Sequence, residues 1–187
     1  MRCKTVLTHG LAAFLCAAFG GGAIGVAHAQ VSLAQSVTDA RGRFTMNFPA
    51  DWEVVRRADG MIALLGAGPI QAGHRASIVV VVEPLPNPMS PGAYAAAAER
   101  LAKLTFHNYA VIQAGSATVA GRPSYYRYFT WETNTGVTLY QVQVYFTDGQ
   151  TGFVVTGGTV NDRDRTREDV PVLTQIIGTF RPVSSTN

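Results

Sequence analysis

The sequence predicts an α+β domain, an antiparallel β-sheet with helices packed on it. Long β-branched and aromatic runs with alternating faces fill residues 109–160, separated by tight turn signals at Asn134-Thr135-Gly136 and Asp148-Gly149. Helical spacing occurs in two segments, one in the middle of the chain and one at its end. Long consecutive strands joined by short turns read as an antiparallel meander, and covering it with both helices is the simplest packing.

The chain opens on Arg2 and Lys4, continues through an apolar stretch from Leu11 to Val26, and reaches Ala27-His28-Ala29. That is the pattern of a secretory signal with an A-x-A cleavage site, making residues 1–29 a leader and Gln30 the first mature residue. Gly20-Gly21-Gly22 and Gly25 break the apolar run, which argues against a retained span of about 20 residues. A periplasmic or secreted protein with no stable membrane span after cleavage is expected. Removing 29 of 187 residues leaves 158, enough for one domain with a sizeable core. Both cysteines, Cys3 and Cys16, fall inside the leader, so the mature chain has no disulfide and no thiol. Its 13 basic and 12 acidic residues nearly cancel, which gives no electrostatic case for nucleic acid.

Residues 30–41 read as a flexible mature N-terminus ahead of a single domain at 42–183. Phe44, Met46 and Phe48 alternate with polar residues as a strand ending at Pro49, and a second short strand follows at 52–55. Asp59-Gly60 turns into 61–65, a glycine-rich loop spans 66–73, and 76–82 is a β-branched strand covered on both faces. Pro84, Pro86, Pro88 and Pro91 form a rigid connector. Ser90-Pro91 starts a helix to about Thr105, with Tyr94, Ala97, Ala98, Leu101 and Leu104 on its apolar face. Strands are expected at 110–114, 117–119, 124–133, 137–147 and 151–160. A closing helix carries Val170, Leu173, Ile176 or Ile177, and Phe180, with Pro171 in its first turn.

The run Gly42-Arg43-Phe44-Thr45-Met46-Asn47-Phe48-Pro49-Ala50-Asp51-Trp52 resembles the opening of PsbP-like domains. Val119-Ala120-Gly121-Arg122-Pro123 entering an aromatic strand, and the terminal segment Leu173 to Arg181, resemble the same superfamily in the same order. The resemblance spans roughly residues 40–182 and extends to bacterial envelope proteins of the DcrB type. It implies an α/β/α sandwich used for binding, with no shared enzymatic activity and no cofactor.

The residues themselves carry little catalytic chemistry. His74 and His107, the two histidines of the mature chain, lack the close spacing of a helical zinc site. Gly115-Ser116-Ala117 lacks the second glycine of a nucleophile elbow, and Gly66-Ala67-Gly68 has no Gly-Lys-Ser/Thr ending. Asp162, Asp164, Glu168 and Asp169 interleave with Arg163, Arg165 and Arg167, and no glycine sits where a calcium loop needs one. No catalytic, cofactor-binding or metal-ligating residue is assigned.

The aromatic strand remains. Tyr125, Arg127, Phe129 and Trp131 share one face, and the next strand adds Leu139, Gln141, Gln143 and Tyr145. Tyr125, Arg127, Trp131, Gln141, Gln143 and Tyr145 are the candidate partner-binding face, having the composition of a recognition surface. The competing expectation is that the second helix covers most of this face, leaving Arg127 at its rim. The functional expectation is an exported, non-catalytic binding or assembly domain of the bacterial envelope, acting on a protein partner. The alternative is a carrier holding a small apolar or lipid-like ligand between sheet and helix. A closed pocket would mark the carrier; an exposed face around Arg127, Gln141 and Gln143 would mark the partner reading.

Overall fold

The structure is a computed structural model that describes residues 31–183. The leader expected at 1–29 lies outside the described residues. Strands β1 (Gln35–Thr38), β2 (Phe44–Phe48), β3 (Glu53–Arg56), β4 (Ile62–Ala67) and β5 (Ser77–Pro84) precede helix α1 (Pro91–Thr105). Then come β6 (His107–Val119), β7 (Arg122–Glu132), β8 (Thr138–Asp148), β9 (Thr151–Val160), helix α2 (Arg163–Gly178) and β10 (Arg181–Pro182).

Seven strands form one antiparallel sheet in the order β3-β4-β5-β9-β8-β7-β6, and β1-β2-β10 form a small second sheet. The main core lies between the large sheet, α2 and the small sheet. There Phe44, Met46 and Phe48 of β2 meet Val142, Val144, Phe146 and Val155, with Leu173, Ile176, Ile177 and Phe180 closing the layer. Phe180 stacks on Phe146 at 4.8 Å and on Phe44 at 5.2 Å between ring centroids. Helix α1 covers part of the opposite sheet face over a smaller cluster of Leu85, Tyr94, Ala95, Tyr145 and Val154. The result is the expected α+β architecture, an antiparallel sheet with a helix on each face.

Both helix starts are chemically determined. Ser90 Oγ accepts from Ala93 N at 3.2 Å and Pro91 takes the first position of α1. Asp162 accepts from Asp164 N and Arg165 N at 2.9 and 3.1 Å at the start of α2.

Several expectations are corrected. The segment 30–41, expected to be loose, contains β1, because Val37 opposite Met46 lets a four-residue strand cap the small sheet. There are ten described strands: β3 lies where a short strand is expected, while the unexpected β1 and β10 are short and each pairs only with β2 in the small sheet. The separate strands expected at 110–114 and 117–119 are one 13-residue strand, β6, in which Gly115 and Ser116 stay paired with Tyr126 and Tyr125. Pro171 sits inside α2, not in its first turn, because Asp162 caps the helix well upstream of the apolar stripe. Leu101 and Leu104 of α1 are exposed, at 67% and 87%, although they lie on the apolar stripe of the sequence. Alanines at 95, 98 and 102 bring the helix to the sheet and leave those leucines to one side.

Candidate functional site

The register β7–β8 places Tyr125 opposite Tyr145, Arg127 opposite Gln143, Phe129 opposite Gln141 and Trp131 opposite Leu139. The six candidate residues therefore share one face, as their alternation predicts, and that face is the one α1 lies on. Helix α1 runs along β7, from Gly92 beside Tyr125 to Phe106, which stacks on Trp131 at 4.6 Å. The cover is the first helix, not the second.

Arg127 lies at the centre of this contact, not at its rim, and is 1% exposed. Its Nη2 donates to Ala95 O and to Glu99 Oε2, both at 3.0 Å, and its Nη1 donates to Tyr145 Oη at 3.2 Å. Tyr145 Oη donates to Gln143 Oε1 at 2.6 Å, and Gln143 Nε2 donates to Thr156 Oγ1 at 3.1 Å. A buried cation can persist here because a carboxylate, a helix carbonyl and a phenol oxygen all face it. Burial pushes the Tyr145 hydroxyl up to about 12, with the Arg127 charge acting in the opposite direction. The hydrogen bond from Lys103 holds the Glu99 carboxyl below its ordinary value against partial burial, and the Arg127 charge adds to it. Arg127 and Tyr145 thus anchor α1 and are not open to a partner.

The rest of the face is open. Beyond Gln143 the floor continues through Gln141, whose strand neighbours are Gly158 and then Ser77. A groove of about 340 Å³ lies there, lined among others by His74, Arg75, Ser77, Thr133, Leu139 and Gln141. Gly158 shapes its floor: a Cβ at that position would point at Gln141 Nε2 and Ser77 Oγ at ordinary contact distance, so bulk is missing where it would fit. Its neighbour Gly157 faces the other way, where a Cβ would come 3.1 Å from Leu173 and Val142 and hold α2 off the sheet. Leu101 follows Tyr94 by two turns, about 20° round the helix at 100° per residue. Since Tyr94 packs edge-on against Tyr145 at 5.5 Å, Leu101 lies on the β8 flank of α1, where it is exposed. Of the predicted site only Gln141 lines this groove; Gln143, Trp131 and Tyr125 are half-buried elsewhere on the face, tied to Thr156 and Tyr145, stacked under Phe106 and set beside Gly92 respectively.

Sequence reasoning missed His74, Arg75 and Ser77, which reach the groove from a loop and from β5; no local pattern marks them. On the opposite face of β7 and β8, Val142, Val144 and Phe146 are buried, and Tyr126, Tyr128 and Tyr140 form a half-buried ladder with ring centroids 5.7 and 6.1 Å apart. Between α2 and the 68–76 loop lies a smaller recess of about 150 Å³, bordered by Trp52, Gln71, Arg165 and Asp169. Among the described residues no group of three or more His, Cys, Asp or Glu is placed to hold a metal ion. None of their helices is long and apolar enough to cross a membrane.

Residues 35–182 match the family model of the serine/threonine kinase C-terminal domain. The chain belongs to that family. No curated protein sequence matches it. Solved structures share its fold at low identity. CyanoP, the cyanobacterial PsbP of Synechocystis sp. PCC 6803, superposes with a TM-score of 0.58 at 13% identity, over 87% of this chain and 98% of its own. The Pseudomonas aeruginosa protein PA94, a putative regulator of unknown function, gives 0.59 at 15% identity, over 81% and 98%. LpqN of Mycobacterium tuberculosis, involved in cell envelope biogenesis, gives 0.56 at 16% identity, over 78% and 88%. The fold of this kinase C-terminal domain family member is therefore PsbP-like.

Proposed function

We propose that this protein is an exported, non-catalytic binding domain of the bacterial cell envelope, related in role to envelope members of the PsbP-like superfamily such as the DcrB type. Its binding site is the open half of the sheet face beside α1, and its ligand is an extended segment of a protein partner. The observation that carries the reading is the groove over Gln141 and Gly158, lined by Ser77, Thr133, Leu139 and Val160. It offers amide and hydroxyl groups above a partly apolar floor, the mixture that protein recognition uses. The fold shared with LpqN, a protein involved in cell envelope biogenesis, supports the envelope part of the reading.

The carrier alternative has less support. Between sheet and α1, where an apolar ligand would sit, Arg127, Tyr145, Tyr94 and Ala95 fill the layer, and on the other side Leu173, Ile176 and Ile177 do the same.

The test is a photo-crosslinking amino acid at Gln141 in the protein expressed with its leader. It should yield a discrete protein adduct in the envelope fraction, lost when Gly158→Phe fills the groove and retained when the crosslinker-bearing protein is otherwise wild type. N-terminal sequencing of the same material should start at Gln30. An adduct that survives Gly158→Phe, or a crosslinked lipid in place of a protein, would overturn the reading.

A further inference from the structure

We propose that the outer edge of β6 pairs, antiparallel and about a two-fold axis, with β6 of a second copy of this chain. The seven-stranded sheet ends on β3 at one side and on β6 at the other. The two edges are built differently. β3 is four residues long and carries Glu53 and Arg56, which is how an edge is kept from pairing with other chains. β6 has 13 residues, and most of its side chains are exposed.

Within β6 the first half is protected and the second is not. Register shifts at 107–110 and 111–113 twist the first half away from a straight ladder. From Gln113 to Val119 the pairing with β7 is unbroken. That stretch, Gln-Ala-Gly-Ser-Ala-Thr-Val, has no charge and no proline. Its outer edge is a row of backbone donors and acceptors with no neighbouring strand among the described residues.

The chemistry selects a second copy over a foreign strand. A peptide that adds to a sheet edge gains specificity from side-chain pockets or opposite charge, and this stretch supplies neither. Self-pairing needs only that each residue tolerate its mate. With the axis at Ser116, Ser116 meets itself, Gly115 meets Ala117, Ala114 meets Thr118 and Gln113 meets Val119. No like charges meet, and facing serine hydroxyls can hydrogen-bond. Ile112 and Val111, 57% and 42% exposed, then lie opposite Ala120 and Gly121 of the mate, a turn with little side-chain bulk. The axis is isologous and the contact closes at two copies.

Sedimentation equilibrium of the purified protein at tens of micromolar tests this. The wild type should sediment at twice the mass of one chain. Ser116→Lys and Ser116→Glu, each placing two like charges on the axis, should sediment at single-chain mass. Both should keep the wild-type circular dichroism spectrum, since Ser116 is exposed. Mixing the two variants should restore the doubled mass through opposite charges. A monomeric wild type, or a dimer unaffected by Ser116→Lys, would overturn the proposal, as would a mixture that stays monomeric. The groove over Gln141 takes no part, so this outcome is independent of the crosslinking result.

Discussion

Removing Glu99 should destabilise the domain more than removing Arg127, although Glu99 is the more exposed of the two. The Arg127 side chain is 2% exposed and that of Glu99 is 28% exposed. In Glu99→Ala the guanidinium keeps only neutral acceptors, Ala95 O and Tyr145 Oη, and cannot reach water. Breaking a buried pair in this sense costs about 3–5 kcal/mol, and the two remaining acceptors place this case near 3. In Arg127→Met the stem volume survives, while Glu99 is left partly solvated and still paired with Lys103 at 2.8 Å. The loss there is about 1.5–2 kcal/mol, the lower part of the range for hydrogen bonds to charged groups. The double variant should resemble Arg127→Met, giving a coupling of about 3 kcal/mol, the whole of the Glu99→Ala loss. Urea unfolding followed by circular dichroism measures all four corners, with the slope expected to stay constant and only the midpoint to move. If Glu99→Ala costs under about 1 kcal/mol, or no more than Arg127→Met, the cation is not locked beneath α1. The division of this face into anchor and groove would then fail. The carboxyl of Glu99 is held low when folded, so its contribution is full above the ordinary carboxylate range and fades as pH falls through its lower folded value.

Gly157→Ala should cost about 1–3 kcal/mol by pressing on Leu173 and Val142. Gly158→Ala, on the adjacent residue, should stay within about 0.5 kcal/mol of wild type in the same unfolding assay, because its Cβ has room. Burial raises the Asp39 carboxyl, but hydrogen bonds and charge from Arg43, at 2.7 Å, outweigh it and hold the group low. Stability should therefore fall as pH drops below about 4, and Asp39→Asn should flatten that acid limb of the urea midpoint. The Tyr145 hydroxyl, raised to about 12, binds its proton more tightly when folded. Its contribution is complete below about pH 10 and declines as pH rises toward 12, a loss that Tyr145→Phe should remove from the alkaline limb of thermal melts.

The sequence was informative where a pattern reports on its own neighbourhood. The alternation in β2, the cap at Ser90 and the tight turn at Asp148-Gly149 are local, and the structure places them as expected. The edges were not legible in this way. β1 and β10 have only four and two residues, and exist because Val37 meets Met46 and Arg181 meets Thr45 across the small sheet. Pro171 misled because a proline inside a helix is rare; the strong Asp162 cap offsets it. For the site, alternation correctly put Tyr125, Arg127, Trp131, Gln141, Gln143 and Tyr145 on one face. It could not say that α1 would cover Arg127 and Tyr145 and stop short of Gln141. That depends on where the Pro-rich connector sets down the helix, a long-range fact with no local signature.

The same reasoning explains why Leu101 and Leu104 are exposed. An apolar stripe on a helix reports which flank can be buried, not how much sheet lies beneath it. Tyr94 finds Tyr145 below it, but Leu101, two turns later and about 20° round the helix, is 67% exposed. Leu104, about 60° further round again, is turned away from the sheet, so neither leucine meets a surface that covers it. Every other apolar layer of the domain is filled by aromatic and branched residues at or near zero exposure. The mismatch is confined to the face that composition alone marks as a recognition surface. Packing therefore separates two tasks within that face: Arg127 and Tyr145 fix the helix, and the residues beyond its reach are left for a partner.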